Sequence, residues 1–352
     1  MFLFAFKTGR FEIGDKVLNY ICRNDNIKTK SSTCPVCGQR TELTKSDIYW
    51  CETCKVPLYQ KECQCCGSSG RRITTDMRPV FPEERLLLEI MTDKEPGYYE
   101  KMSVWNCSGN RYIADGHKVD FAVKDLKDKN SEEIRIKYES EVPNIDYRYF
   151  NEFKDRFIKA NRSRYEFIVK EAVGYIKNST KDYTARDMFV SFSGGKDSTV
   201  TSDLVMRALS EPKILHIFGD TTLEFPETMK YIERFKKEHP QTPVVSSRNK
   251  DKDFEELCAL VGPPSRVMRW CCTIFKTGAI QRKIKTMFRN KNKIITFYGI
   301  RRNESASRNK YERETEGSKI TKQITISPII DWMDFDVWLY MLTTEIDFNY
   351  AY

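Results

Sequence analysis

The sequence predicts an α/β protein in which a parallel sheet carries helices on both faces, preceded by a metal-organised module and a small β-containing domain. Three observations predict it. Met188-Phe189-Val190-Ser191-Phe192 is an apolar run of strand length, followed at once by two glycines and then by a helical pattern through Val200, Leu204, Val205 and Ala208. Two further strand candidates, Lys213–Phe218 and Ile294–Tyr298, alternate with helical stretches, the order that builds parallel sheets. Cys34, Cys37, Cys51, Cys54, Cys63, Cys65 and Cys66 crowd one short N-terminal stretch.

With 352 residues there is room for two or three domains, and 40% apolar against 31% charged residues excludes a globally disordered chain. No stretch approaches the roughly 18 apolar residues of a membrane span. The opening Met1–Phe6 is too short for a secretory signal and has no basic flank before it. The expectation is a soluble, cytoplasmic protein with no membrane partner. Lys and Arg outnumber Asp and Glu by 59 to 50, a net +9. Residues 281–322 alone hold 13 Lys/Arg and 4 Asp/Glu, also +9. Such clustering fits an anionic partner, a nucleotide phosphate or a nucleic-acid backbone; a solvated face is the plain alternative.

The first 85 residues read as a zinc ribbon. Cys34-Pro35-Val36-Cys37-Gly38 is a knuckle, a tight turn that brings two sulfurs to one point. Cys51-Glu52-Thr53-Cys54 follows the strand-like Ile48-Tyr49-Trp50, and Cys63-x-x-Cys66-Gly67 makes another knuckle. Two knuckles supply four thiolates, which suits tetrahedral zinc in a structural role. Spacing favours Cys34, Cys37, Cys51 and Cys54; pairing Cys51 and Cys54 with Cys63 and Cys66 also works, and Cys65 offers a second, partial site. A stretch this polar is expected to depend on the metal to fold. Residues 86–140 read as a small β-containing domain with a hairpin at Asp115-Gly116, its role not legible. Residues 141–352 read as the domain that carries the strand–glycine–helix feature, entered through a helix over Asn151–Lys177.

Its first loop, Ser193-Gly194-Gly195-Lys196-Asp197-Ser198, lies between strand and helix. That placement aims backbone N–H groups and a helix N-terminus at a phosphate. The glycines permit close approach, Lys196 adds charge, and Ser193 and Ser198 offer hydroxyls. The spacing is not that of a Walker loop.

The string resembles the PP-loop of the ATP pyrophosphatase superfamily, whose members bind adenine nucleotides in a Rossmann-like fold and cut between the α and β phosphates. Further motifs are similar to those of the phosphoadenosine phosphosulfate (PAPS) reductase family. Asp220-Thr221-Thr222-Leu223-Glu224-Phe225-Pro226-Glu227-Thr228 looks like its DTG…FPET segment, with Thr222 in place of the glycine. Cys271-Cys272 with Lys276 resembles its CC-x-x-x-K motif, and Gly299-x-Arg301-x-x-Glu304-Ser305-x-x-Arg308 its G-x-R-x-x-E-S-x-x-R motif. The resemblance implies that Ser193–Ser198, Asp220, Thr221, Lys276, Gly299, Arg301 and Arg308 bind the nucleotide. It also implies that Lys196, Asp197, Arg301 and Arg308 act in the chemistry, the arginines as bidentate oxyanion clamps.

Two departures divide the family's activities. In iron–sulfur members a cysteine pair shares its cluster with a later CxxC, and no cysteine follows Cys272; a cluster is expected only if residues beyond Tyr352 supply more. An intact SGGKDS string suits ATP with Mg²⁺, for which Asp197 and Asp220 are candidate ligands, better than a sulfonucleotide lacking β and γ phosphates. The first expectation is therefore an enzyme that adenylates an acceptor and transfers sulfur to it, with nucleic acid or a sulfur-donor protein as partner. The competing readings are a sulfonucleotide reductase and a catalytically idle assembly subunit. With three histidines, no G-x-S-x-G and no G-x-G-x-x-G, neither a serine hydrolase nor a Rossmann dehydrogenase is supported.

Overall fold

The computed structural model describes residues 20–22, 27–29, 33–39, 41–43, 47–107, 110–127, 129–249, 251–265, 268–291, 293–305, 308, 311–316 and 323–352. The chain forms two compact units, Met1–Ile168 with Met333–Thr344, and Val169–Trp332 with Glu345–Tyr352.

The first unit begins with β1 (Tyr20–Cys22), β2 (Ile27–Thr29) and β3 (Glu42–Leu43), an antiparallel sheet of order β2-β1-β3. Next come β4 (Ile48–Cys51), β5 (Val56–Leu58) and β6 (Arg71–Thr74), in the order β5-β4-β6. A four-stranded meander follows: β7 (Met77–Pro79), β8 (Val104–Cys107), β9 (Arg111–Ala114) and β10 (His117–Lys118). Its β9–β10 turn is the expected hairpin, with Asp115 (φ 47°) and Gly116 (φ 82°) both left-handed as a two-residue turn of this hand requires. Helix α1 (Pro82–Met91) starts on proline, where no amide is needed, α2 (Ser131–Glu141) is capped by Asn130, and α3 (Arg148–Ala160) follows.

The cysteine-rich stretch is less polar in effect than its composition suggests. Ile48, Trp50, Val56 and Leu58 are fully buried in a core with Trp105, Phe157, Phe335 and Leu339. Residues 334–344 bring Asp336 into this unit, where it forms a buried two-point ion pair with Arg164 at 2.7 and 2.8 Å. The expectation that metal alone holds the ribbon together is thus corrected: aromatic burial shares the task.

The second unit opens with the end of α4 (Arg162–Thr180) and then alternates strand and helix. Its elements are β11 (Met188–Phe192), α5 (Lys196–Leu209), β12 (Leu215–Asp220), α6 (Pro226–Glu238), β13 (Val244–Arg248), α7 (Phe254–Val261), a π-helix (Cys272–Gly278), α8 (Ala279–Met287), β14 (Ile294–Tyr298), β15 (Glu314–Glu316) and β16 (Gln323–Ile326). The sheet order is β13-β12-β11-β14-β16-β15, parallel throughout except for the edge strand β15. Period-two alternation sorts the apolar side chains. Phe189 and Ile217 pack with Ile284 and Phe288 on one face, and Phe192 and Phe218 pack with Tyr231, Ile232 and Phe235 on the other. Helices therefore cover both faces, as the sequence predicts. The last helix, α9 (Asp334–Thr344), belongs to the first unit.

Candidate functional site

From β11 the chain steps through β12 to β13 on one side, then crosses back to place β14 on the other. Ligands on open α/β sheets bind at the carboxyl ends of the strands at such a reversal. Two predicted loops leave from this place, Ser193–Ser198 after β11 and Gly299–Glu304 after β14.

The loops touch backbone to backbone. A Cβ added at Gly299 would stand 2.5 Å from the carbonyl group of Asp197 and 2.6 Å from the Ser198 nitrogen. Glycine is required there by close approach. Gly194 is required for a different reason, its φ of +71°. The first loop is tied internally: Ser193 and Ser198 hydroxyls lie 3.1 Å apart, Ser198 Oγ donates to the Gly195 carbonyl at 2.8 Å, and the Gly195 amide points at Ser193 Oγ at 3.4 Å. The N-cap of α5 is Gly195, which brings no capping side chain to the helix N-terminus.

Charge is concentrated where the loops meet. Arg301 Nε donates to Asp197 Oδ1 at 2.5 Å, and Lys196 Nζ donates to Asp197 Oδ2 at 3.3 Å; all three residues are buried. Asp197 thus holds two cations beside the glycine loop. Both carboxylate oxygens of Asp197 are thereby engaged, while Asp220, at the end of β12, has Oδ1 engaged by the Thr222 amide. The Tyr352 ring also stands beside this loop, 4.9 Å from Lys196 Nζ.

Not every predicted residue joins the cluster. Arg308 pairs with Glu304 and is about two-fifths exposed. Its neighbour Arg302 is buried against Asp331 and donates to the Tyr311 carbonyl, a brace for the loop. The side chain of Lys276 lies outside the described residues, although its backbone falls in the π-helix. Cys271 and Cys272 are half-buried, with Arg269 Nη2 at 3.5 Å from Cys272 Sγ.

Thr222 sits in a left-handed conformation in spite of its branched side chain. It adopts φ +69°, and its amide donates to Asp220 Oδ1 at 3.0 Å. The aspartate thus accepts from the amide of a residue in the left-handed region. Thr221 donates through its amide (3.0 Å) and hydroxyl (2.7 Å) to Glu224. Glu224 lines a cavity of about 350 Å³ with Ser191, Phe192, Ser193, Thr277 and Tyr298. This volume is within the range of small-ligand pockets. Burial pushes the Tyr298 phenol above its usual pKa, so it remains a neutral hydrogen-bonding group. Sequence reasoning missed Glu224, Thr277 and Tyr298 as pocket residues; only their strand-end or loop positions hinted at them.

A second cluster lies in the first unit. The Sγ atoms of Cys51, Cys54, Cys63 and Cys66 all lie within 4.8 Å of one another. Cys51–Cys66 is 3.5 Å and Cys54–Cys63 is 3.8 Å. Four thiolates about 2.3 Å from a tetrahedral zinc would stand about 3.8 Å apart, so the set fits that ion. The favoured combination is corrected accordingly: Cys34 and Cys37 stand outside this group, and the shorter-gap alternative is the one the fold assembles. Burial pushes the Cys54 thiol far up and Cys63 to about 11, whereas hydrogen bonds from Ser68 bring Cys66 down to about 6. Such unequal thiols become four thiolates together only around a cation.

Residues 187–352 match the family described as the phosphoadenosine phosphosulfate reductase domain. An uncharacterized protein of Methanocaldococcus jannaschii is 32% identical over 235 residues, 67% of this chain and 45% of that protein. Another from the same organism is 32% identical over 208 residues, so the chain spans about half the length of either. Adenosine 5′-phosphosulfate reductase of Anoxybacillus flavithermus is 28% identical over 48% of this chain and 68% of its own length. Among solved structures, PAPS reductase from Candida auris aligns at 14% identity over 51% of this chain and 88% of that chain (TM-score 0.37). FMN adenylyltransferase of Candida glabrata with ATP aligns at 14% over 55% and 59% (TM-score 0.42).

Proposed function

We propose, from the match of residues 187–352 to the phosphoadenosine phosphosulfate reductase domain family, that the cleft between the Ser193–Ser198 and Gly299–Glu304 loops binds an adenine nucleotide and acts at its α-phosphate. The single observation that carries this is the meeting of the two loops, with Lys196 and Arg301 sharing Asp197.

The reading we favour is ATP cleavage that activates an acceptor for sulfur transfer. An acceptor oxygen attacks the α-phosphorus, the bond to the bridging β oxygen breaks, and pyrophosphate leaves with the electron pair. AMP stays on the acceptor until a sulfur nucleophile displaces it. Backbone amides of the glycine loop and Lys196 stabilise charge on the departing phosphates, and Arg301 holds the α-phosphate. Bound Mg²⁺ would neutralise phosphate charge, and Asp220 is a carboxylate that could hold it. The complete glycine loop supports ATP because pyrophosphate needs all of it.

A second reading, reduction of a sulfonucleotide, is favoured by the relatives named adenosine 5′-phosphosulfate reductase. The acceptor's class finds little support in the basic segment. Lys291, Lys293, Arg301, Arg302, Arg308 and Arg313 are paired with carboxylates of this chain, which leaves less charge for a nucleic-acid backbone.

The test is direct. Purified protein given ATP and Mg²⁺ should release pyrophosphate, and Lys196→Ala should reduce that release at least a hundredfold, on the order of one lost oxyanion donor. Sulfite release from adenosine 5′-phosphosulfate with thioredoxin, and none of pyrophosphate, would establish the second reading instead.

A further inference from the structure

Residues Glu345–Tyr352 belong to the second unit and carry neither helix nor strand, yet they are held at many points. Helix α6 supplies the anchors. Arg234 Nε donates to Asp347 Oδ2 at 2.9 Å, and its Nη2 donates to Asp347 Oδ1 at 3.3 Å and to the Phe348 carbonyl at 2.8 Å. Such a forked pair fixes orientation as well as distance. The Tyr231 hydroxyl, 2.8 Å from Thr199 Oγ1 of α5, donates to the Asp347 carbonyl at 3.3 Å. Asn349 is buried, and its Nδ2 donates to Thr228 Oγ1 at 2.8 Å. Its Oδ1 accepts from the Ala351 amide at 3.0 Å and its carbonyl from the Tyr352 amide at 3.2 Å, which closes a turn.

These ties deliver one side chain to the glycine loop. A Cβ added at Gly195 would stand 2.7 Å from Tyr352 Oη and 3.4 Å from Ser193 Oγ. Gly195 has φ −87°, an angle open to any residue, so what its missing side chain provides is space. The phenol reaches into that space. Lys196 Nζ lies 4.9 Å from the centroid of the same ring. Among the described residues the Tyr352 hydroxyl has no hydrogen-bond partner, and the residue is half exposed. A phenol has one O–H to give, and a phosphoryl oxygen accepts it as a charge-assisted bond.

We propose that Tyr352 is a phosphate ligand of this site: its O–H donates to a non-bridging oxygen of the phosphoryl group that sits beside Gly195 and Lys196. The inference rests on the reading of the glycine loop as a nucleotide site, and it adds a donor that lies far from that loop in sequence. A ring that merely obstructed the loop would make the opposite prediction, since its hydroxyl would then hinder the anion.

Inorganic pyrophosphate is the probe, titrated calorimetrically into the full chain. Tyr352→Phe keeps the ring and removes only the hydroxyl. The urea midpoint should therefore stay where it is, while the dissociation constant rises about tenfold or more, the worth of a hydrogen bond to a charged group. Tyr350→Phe alters a neighbouring ring that lies 4.2 Å from the Arg234 guanidinium, and it should leave the constant unchanged. Unchanged or tighter binding in Tyr352→Phe overturns the proposal, and so does an equal loss in Tyr350→Phe. If the unaltered protein binds no pyrophosphate, the proposal fails together with the ATP reading; if it binds and ignores the Tyr352 hydroxyl, the proposal fails alone.

Discussion

Single residues decide how the two ligand loops meet. Gly299 has no room for a methyl group, since its neighbours are the Asp197 and Ser198 backbone and not a yielding side chain. Gly299→Ala should cost roughly 1–3 kcal/mol of stability by forced repacking, read from the urea midpoint, and should weaken nucleotide binding in a calorimetric titration. Thr222 presents the opposite case, a β-branched residue held at φ +69°. Thr222→Gly should stabilise the protein by about 1 kcal/mol, because the left-handed penalty disappears; an unchanged or lower midpoint would contradict this. The motif strings made both positions legible, but not the reasons. Gly299 is fixed by a contact between residues a hundred apart, and spacing carries no record of it.

Helices and strands pack around a buried titratable group at His216 on β12. The imidazole is fully buried, Nε2 lies 2.7 Å from Ser202 Oγ on α5, and Nδ1 lies 2.9 Å from the Ile214 carbonyl. Burial lowers its pKa from 6.5 to about 4. In that window the unfolded chain binds a proton that the folded chain refuses, so stability should fall as pH drops from 6.5 towards 4. Refusing that proton across the window is worth roughly 3 kcal/mol at most. Urea titrations at pH 7 and pH 4.5 should show the loss, and His216→Asn should remove most of the difference between them. Alternation in the strand predicts a satisfied core histidine here, and that is its position. The β–α alternation of the second unit was equally open to reading. The course of the cysteine module was not, because three similar knuckles offer several pairings and only the folded backbone selects one.

At the scale of the whole molecule, the two units rest on different forces. The first combines a four-cysteine group that fits a metal ion with an aromatic core, and the second is a covered parallel sheet that lacks that group. If zinc occupies the four-cysteine group, its removal by a chelator should therefore accelerate amide hydrogen exchange across residues 47–74 and leave β11, β12 and β14 protected. Equal loss of protection in both would show that the sheet, too, depends on the ion. Among the described residues no helix is long and apolar enough to cross a membrane. The net charge of +9 was plain from the composition. That much of the basic segment answers to the chain's own carboxylates was hidden, because those partners lie at distant positions.

The carboxylate shared by Lys196 and Arg301 makes the anion cradle self-compensated. Any incoming anion must compete with a resident one, so its affinity is an exchange and rewards charge number above shape. Pyrophosphate should therefore perturb the Tyr352 fluorescence beside Lys196 at concentrations where chloride at equal ionic strength leaves it unchanged, and Asp197→Asn should narrow that gap by giving the weaker competitor the same vacancy.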